Sequence, residues 1–117
     1  MINSIAFFAF QVTDMPRARA FYEATLGLKL ETNFSDVWVE YDIAGQTFAI
    51  TNAETTHQPG VKGGMLAFEV DDLDATLADL KAKQVTLVMD VMDTPVCRMA
   101  VIADPDGNHI TIHKRKG

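Results

Sequence analysis

The chain has 117 residues, of which 48% are hydrophobic and 22% charged, and its formal net charge is −6. This length and composition are typical of one compact globular domain and exclude the disordered and fibrous classes. The negative charge argues against a nucleic-acid-binding surface and no apolar run reaches the roughly 20 residues that span a bilayer, so we expect a cytoplasmic protein without nucleic-acid or membrane partners.

The first half of the chain predicts a strand, a helix and three further strands. An apolar run over residues 5–12 predicts the first strand, and Asp14 is suited to cap the helix that follows it. Gly27 is expected to end this helix, because the left-handed residue after a helix is least costly as glycine. The alternation of apolar and polar residues then predicts strands over residues 28–34, 37–43 and 47–51.

The second half predicts the same order of elements. Asp71 or Asp72 is expected to cap its helix, which follows a strand beginning at Met65. Three further strands are predicted over residues 85–89, 97–103 and 109–113. Polar residues, Pro and Gly between the halves have linker composition. We therefore predict one domain with a first module over residues 1–54, a linker over 55–64 and a second module over 65–117.

A short repeat supports the view that the two modules are copies of one unit. The segment AFQVTDM at residues 9–15 returns as AFEVDDL at residues 67–73, which is 58 positions later (67 − 9). Each copy ends an apolar strand at an aspartate that can cap a helix. The sequence thus predicts an α+β fold of two tandem βαβββ modules.

The predicted strands have one apolar face and one mixed face. The apolar set, such as Phe8 and Phe10, is expected to pack on the helices. The other set mixes aromatic, aliphatic, acidic and imidazole side chains, which is typical of a small-molecule cavity. A dimer interface or an open sheet edge would also accept such a mixture, and the pattern leaves these alternatives open. The mixed set consists of Phe7, Ala9, Gln11, Trp38, Glu40, Asp42, Ala49, Met65, Ala67, Glu69, His109, Thr111 and His113.

Several motifs resemble the vicinal oxygen chelate superfamily, which includes glyoxalase I, bleomycin-resistance proteins and extradiol dioxygenases. They are Val12-x-Asp14, Phe21-Tyr22 followed by Leu26-Gly27-Leu28, and Asp104-Pro105-Asp106-Gly107-Asn108. The resemblance covers essentially the whole chain and is specific for the superfamily but not for one activity. It implies a glyoxalase-like fold, in which the two modules form a curved eight-stranded mixed sheet around a cavity. It also implies a homodimer.

The resemblance also identifies where a metal would be bound. Enzymes of the superfamily usually hold a divalent metal with His, Gln or Glu at four places, which correspond here to Phe7, Ala49, Met65 and Thr111. These side chains cannot supply the nitrogen and oxygen ligands that Zn²⁺, Ni²⁺, Mn²⁺ or Fe²⁺ requires. We therefore expect no cofactor and no metal at this site.

Three functional interpretations follow. The first is a metal-independent protein that binds a small molecule, such as an antibiotic-like or aromatic compound. The second is a glyoxalase-I-like lyase or a dioxygenase with a displaced divalent metal site, and the third is a structural or regulatory dimer without a small ligand. Whether the protein catalyses a reaction is left open by the sequence.

The mixed face supplies the candidate ligand contacts. Trp38 and Phe7 offer flat surfaces for stacking on a planar ring. Glu69 and His109 share the mixed face, and the sequence leaves two roles open for them, a polar pair that binds ligand or a residual acid and base. The parity of Arg98 is ambiguous. The full set of predicted ligand-binding residues is Phe7, Trp38, Glu40, Met65, Glu69, Arg98, His109 and Thr111.

Overall fold

The chain forms two compact units, Met1–Gly60 and Val61–Gly117, which we call unit one and unit two. The computed structural model describes residues 5–53, 59–60 and 66–116. Each unit contains a strand, a helix and three more strands, and the four strands form a mixed sheet. The predicted α+β fold of two βαβββ modules is confirmed.

Unit one is a sheet with the strand order β1-β4-β3-β2. Strand β1 pairs with β4 in parallel, and the other two pairs are antiparallel. Its elements are β1 Phe8–Gln11, α1 Met15–Arg19, a π-helical segment Ala20–Thr25, β2 Lys29–Phe34, β3 Trp38–Ile43 and β4 Gln46–Thr51.

Unit two repeats this topology with the strand order β5-β8-β7-β6. Strand β5 pairs with β8 in parallel, and the remaining pairs are antiparallel. Its elements are β5 Leu66–Glu69, α2 Leu73–Ala82, β6 Thr86–Asp93, β7 Cys97–Ala103 and β8 His109–Arg115.

Both helices begin at the aspartates that the repeat predicts. The side chain of Asp14 accepts a hydrogen bond from the backbone N–H of Arg17 at 3.0 Å, and Asp72 accepts one from Ala75 at 3.0 Å. Each bond satisfies one of the backbone donors that a helix N-terminus leaves unpaired. Within the described residues, neither helix is long and apolar enough to cross a membrane.

The first helix differs from its predicted form because its second half is π-helical. The backbone N–H of Leu26 donates to the carbonyl of Phe21 at 2.9 Å, a bond that spans five residues instead of four. Adjacent side chains are closer in direction around this wider helix, and both Phe21 and Tyr22 are buried. Their rings meet edge to face with centroids 5.1 Å apart. The π-helical segment thus turns two neighbouring aromatic residues into the core.

The core of unit one confirms the predicted apolar face of its sheet. Tyr22 of the π-helical segment packs on Phe48 of β4, with ring centroids 5.1 Å apart, and Phe48 stacks on Tyr41 of β3 at 6.2 Å. Tyr22, Tyr41 and Ile50 are fully buried. The face of the sheet that carries Tyr41 and Phe48 is therefore the one that packs on the helix.

A polar network joins the π-helical segment to this core. The hydroxyl of Tyr41 donates to Glu23 at 2.9 Å, and Arg19 pairs with the same carboxylate at 2.7 Å. Arg19 also reaches Asp36 at 3.2 Å, in the turn between β2 and β3. The hydrogen bond from Arg19 lowers the pKa of Glu23, whereas burial and the bond to Glu23 raise the pKa of Tyr41.

The turn between β2 and β3 sets the register of the strand that carries Trp38. Ser35 and Asp36 both have φ of 55°, and Val37 N–H donates to the carbonyl of Phe34 at 3.0 Å. Two successive residues with positive φ are typical of the tight hairpin turn whose twist matches that of the strands. The turn places Phe34 directly opposite Trp38.

Candidate functional site

The face of the unit-one sheet that points away from α1 carries the predicted mixed residues, and we call it the mixed face of unit one. Strand pairing arranges it in rows of residues that lie directly opposite one another. One row holds Gln11, Thr51, Trp38 and Phe34, and the next holds Ala9, Ala49, Glu40 and Thr32.

Phe7 and Trp38 meet on this face. Their ring centroids are 5.1 Å apart and the ring planes are nearly perpendicular, at 83°. This edge-to-face arrangement is one of the two geometries that aromatic pairs favour. Phe7 is 49% exposed and Trp38 is half-buried, so the pair keeps accessible aromatic surface. The structure therefore brings together the two residues predicted to stack on a ligand.

Small residues between the two strands permit this contact. Phe7 precedes β1 and Trp38 begins β3, and these strands flank β4 on opposite sides. Ala9 and Ala49 lie directly opposite each other on β1 and β4, and each has only a methyl group above the sheet. Because these side chains fill little volume, the two large rings can lean over them and meet.

Glu40 fixes the indole of Trp38. The indole N–H donates to Oε2 of Glu40 at 2.9 Å. The two residues are two positions apart on β3, so both side chains lie on the same face of the strand. An indole held at its N–H keeps the orientation of its ring plane, which is the part that a planar ligand would contact.

Two further polar residues of the mixed face are engaged with the backbone. Gln11 donates from its side-chain amide to the carbonyl of Ala53 at 2.6 Å, and the hydroxyl of Thr51 donates to the carbonyl of Val37 at 2.7 Å. These bonds hold the ends of β1, β3 and β4 together.

Unit two has a corresponding mixed face, on the side of its sheet away from α2. Its first row is Glu69, His113, Met99 and Met92, which lie in register on β5, β8, β7 and β6. Its second row is Ala67, Thr111, Val101 and Met89.

The partner of Glu69 is His113 and not His109, which corrects the polar pair that the sequence left open. Nδ1 of His113 lies 2.5 Å from Oε1 of Glu69, and the backbone N–H of Arg115 donates to Oε2 at 2.8 Å. Both contacts lower the pKa of Glu69, and the hydrogen bond from the backbone N–H of Arg115 has the larger effect. Parallel pairing aligns Glu69 with His113, whereas His109 lies opposite Ala103 at the start of β8. Residue parity predicts which side chains share a face of the sheet, but it does not predict which residues of neighbouring strands lie opposite each other.

The other predicted contacts of unit two are not gathered in one place. Thr111 lies on the mixed face but is buried, and His109 is exposed. Arg98 lies on the opposite face, where its guanidinium pairs with Asp74 of α2 at 3.1 and 3.2 Å. This pairing lowers the pKa of Asp74. Met65 lies outside the described residues.

Sequence reasoning missed the methionines of this face. Met92 and Met99 are directly opposite each other, and Met89 is opposite Val101. Met89 and Met92 differ in parity and would lie on opposite faces of a regular strand, but the register shifts between them. Such a β-bulge adds one residue and returns the later side chain to the first face. The run of β-branched and aspartate residues in β6 carries no clear signal for the position of the bulge.

The four places at which a divalent metal would be expected do not suit one. Phe7 contributes a ring that contacts Trp38, Ala49 has no donor atom and Thr111 offers a buried hydroxyl. In the part of the chain that the structure describes, no three His, Cys, Asp or Glu side chains are grouped so that they could hold a metal ion. The described residues therefore do not fit the divalent site that the resemblance implies.

The sequence matches the family model described as Glyoxalase/Bleomycin resistance protein/Dioxygenase superfamily over residues 4–112. The chain belongs to this superfamily. The match spans both units, in agreement with the repeated βαβββ topology. A comparison with curated protein sequences found no match.

Among solved structures, two proteins from Streptomyces sp. CB03234 are similar to this superfamily member over nearly the whole chain. The crystal structure of TnmS3, an antibiotic binding protein, has 29% identity and a TM-score of 0.85, and the match covers 98% of each chain. A glyoxalase/bleomycin resistance protein has 31% identity and a TM-score of 0.78, with 93% of this chain and 98% of the other covered.

A more distant similarity concerns an enzyme. Lactoylglutathione lyase from Agrobacterium tumefaciens has 20% identity and a TM-score of 0.78, and the match covers 97% of this chain and 94% of the other. At this identity the similarity shows a shared fold and nothing about activity.

Proposed function

We propose that the protein binds a small planar aromatic molecule of the antibiotic-like class on the mixed face of unit one, without a divalent metal. The observation that carries this proposal is the contact between Phe7 and Trp38 at 5.1 Å. Two aromatic residues that are partly accessible on a sheet face, with the indole held by Glu40, form a stacking surface with a defined orientation.

The chemistry of the face favours binding over turnover. Its apolar rings supply burial for a ligand ring, and Glu40 supplies a carboxylate beside the indole N–H. The side chains of Gln11 and Thr51 donate hydrogen bonds to backbone carbonyls. A protein that retains a toxic aromatic compound requires these features and no activated nucleophile.

The comparison with TnmS3 supports the same class of ligand. That protein is described as antibiotic binding, and its identity of 29% extends over 98% of both chains. We propose that the present protein sequesters its ligand by binding and leaves it chemically unchanged.

A thermal-shift screen tests the proposal. The panel contains planar aromatic antibiotics, with aliphatic aminoglycosides as the non-aromatic comparison. An aromatic ligand present at 100 times its Kd is expected to add about 2.7 kcal/mol to the free energy of unfolding. Trp38→Ala is expected to retain the fold and weaken binding of the same compound by about 1–3 kcal/mol, because stacking and burial are lost.

Val88→Ala is the control, because Val88 is an exposed apolar residue on β6 of unit two and is not part of the mixed face of unit one. This variant is expected to bind the ligand with the affinity of the wild type. The proposal is wrong if no aromatic compound of the panel binds, or if a folded Trp38→Ala protein binds as tightly as the wild type.

A further inference from the structure

Three side chains with nitrogen or sulfur donors lie in one row on the mixed face of unit two. His113 on β8 is directly opposite Met99 on β7, which is directly opposite Met92 on β6. Side chains in directly opposite positions have Cβ atoms about 5 Å apart. A methionine side chain is unbranched and flexible, so both sulfur atoms can approach a point above the middle strand.

Glu69 holds the imidazole of His113 at one of its two ring nitrogens. It lies on β5, on the side of β8 away from β7, and its Oε1 is 2.5 Å from Nδ1 of His113. Because the two ring nitrogens of an imidazole point in roughly opposite directions, holding Nδ1 toward β5 favours a ring orientation in which Nε2 faces β7. A carboxylate that holds one imidazole nitrogen is the usual arrangement behind a metal-binding histidine, because it sets the tautomer and the ring direction.

The row is also accessible. Met92 is 45% exposed, while Met99 and His113 are half-buried. Among the described residues, the imidazole of His113 has no hydrogen-bond partner other than Glu69. An ion from solution can therefore reach the donor atoms without opening the core.

We propose that His113, Met99 and Met92 bind one soft monovalent metal cation, Cu(I) or Ag(I), with Glu69 as the positioning residue. Thioether ligands select soft ions such as Cu(I), and imidazole also suits copper. Zn²⁺ and other harder divalent ions prefer thiolates, several imidazoles or carboxylates. The site differs in place and in ion class from the divalent site of the superfamily, and it is independent of the proposed ligand on unit one.

Silver ions are a suitable probe because Ag⁺ has the same ligand preference as Cu(I) and is not redox-active in buffer. Protein labelled with ¹³C at the methionine methyl groups is titrated with silver nitrate in chloride-free buffer. Of the six methionines in the sequence, Met92 and Met99 are expected to show the shifted methyl resonances, and native mass spectrometry is expected to find one Ag⁺ per chain.

Three variants test the separate roles of Glu69, Met99 and His113. Met99→Leu keeps the size and apolar character of the side chain but removes the sulfur. Glu69→Gln is expected to lower the Ag⁺ affinity by about 10- to 100-fold through loss of the fixed imidazole. Met99→Leu and His113→Ala are expected to lower it at least as much, because each removes a direct ligand.

His109→Ala and Cys97→Ser are the controls. His109 lies on the same strand and face but in another row, and Cys97 is a buried thiol on β7 that contacts Thr94. Both variants are expected to bind Ag⁺ as the wild type does. The proposal is overturned if Cys97→Ser abolishes binding, if folded Met99→Leu binds unchanged, or if an equal concentration of Zn²⁺ displaces Ag⁺.

Discussion

Trp38 donates its indole N–H to Glu40, two residues further along the same strand, across 2.9 Å. This bond and the edge contact with Phe7 fix the indole from two sides. The orientation of the proposed stacking surface therefore depends on a carboxylate that need not contact the ligand ring itself.

Removal of this carboxylate is expected to loosen the indole. In Glu40→Ala, the affinity for an aromatic ligand found in the screen is expected to fall by about 0.5–1.5 kcal/mol, the usual contribution of one hydrogen bond. Trp38 fluorescence anisotropy should decay faster in the variant than in the wild type. Unchanged affinity and anisotropy would show that Phe7 alone orients Trp38.

Tyr41→Phe is expected to destabilise unit one by about 1.5 kcal/mol, because it removes a hydrogen bond to the charged carboxylate of Glu23. The wild type should also lose stability above about pH 10, the ordinary tyrosine pKa. The folded state raises the pKa of Tyr41 and so keeps its proton, while the unfolded chain releases it.

Urea denaturation at pH 8 and pH 11 measures both effects, and Tyr41→Phe should show a smaller loss between these pH values. A double-mutant cycle with Glu23→Gln isolates the pair. A coupling energy of zero would contradict the prediction.

Acidification is expected to remove the stabilisation that Glu69 contributes to unit two. The folded state lowers the pKa of Glu69 below its ordinary value of 4.5. Stability from this group is therefore complete above about pH 4.5 and is lost as the pH falls through the folded pKa. In thermal melts between pH 6 and pH 3, Glu69→Gln should lose less stability than the wild type. Glu31→Gln, an exposed glutamate of β2, is the control and should follow the wild type.

The purified protein is expected to contain no stoichiometric Zn²⁺, Ni²⁺, Mn²⁺ or Fe²⁺ at the superfamily positions, because Phe7, Ala49, Met65 and Thr111 lack suitable donors. Elemental analysis and a melting curve with and without EDTA provide the measurement. One tightly held divalent ion per chain, with a lower melting temperature in EDTA, would contradict this prediction.

We predict a homodimer in solution. Several large apolar side chains are exposed, among them Phe34 at 55% and Val96 at 68%, and such surface is commonly covered by a partner. Analytical ultracentrifugation at micromolar concentration should give twice the mass of the 12.9 kDa chain. A monomeric mass would refute the prediction.

Local features of the sequence determined the modules and most of their elements. Asp14 and Asp72 cap helices because their side chains reach donors within three residues, and this interaction needs no distant part of the chain. Strict alternation predicted strand β3 and the face that carries Trp38, because side-chain direction in a regular strand follows residue parity. The π-helical half of the first helix was not predicted, because a segment of 6 residues is too short to show a period different from that of an α-helix.

The tertiary structure alone decided which residues meet. Glu69 pairs with His113 instead of His109 because the parallel register between β5 and β8 joins residues 44 positions apart. Arg98 turns to the helical face, where Asp74 of α2 neutralises it. Met89 and Met92 share one face through a bulge. Parity describes one strand, whereas register, bulges and charge partners depend on packing between strands and helices that are distant in sequence.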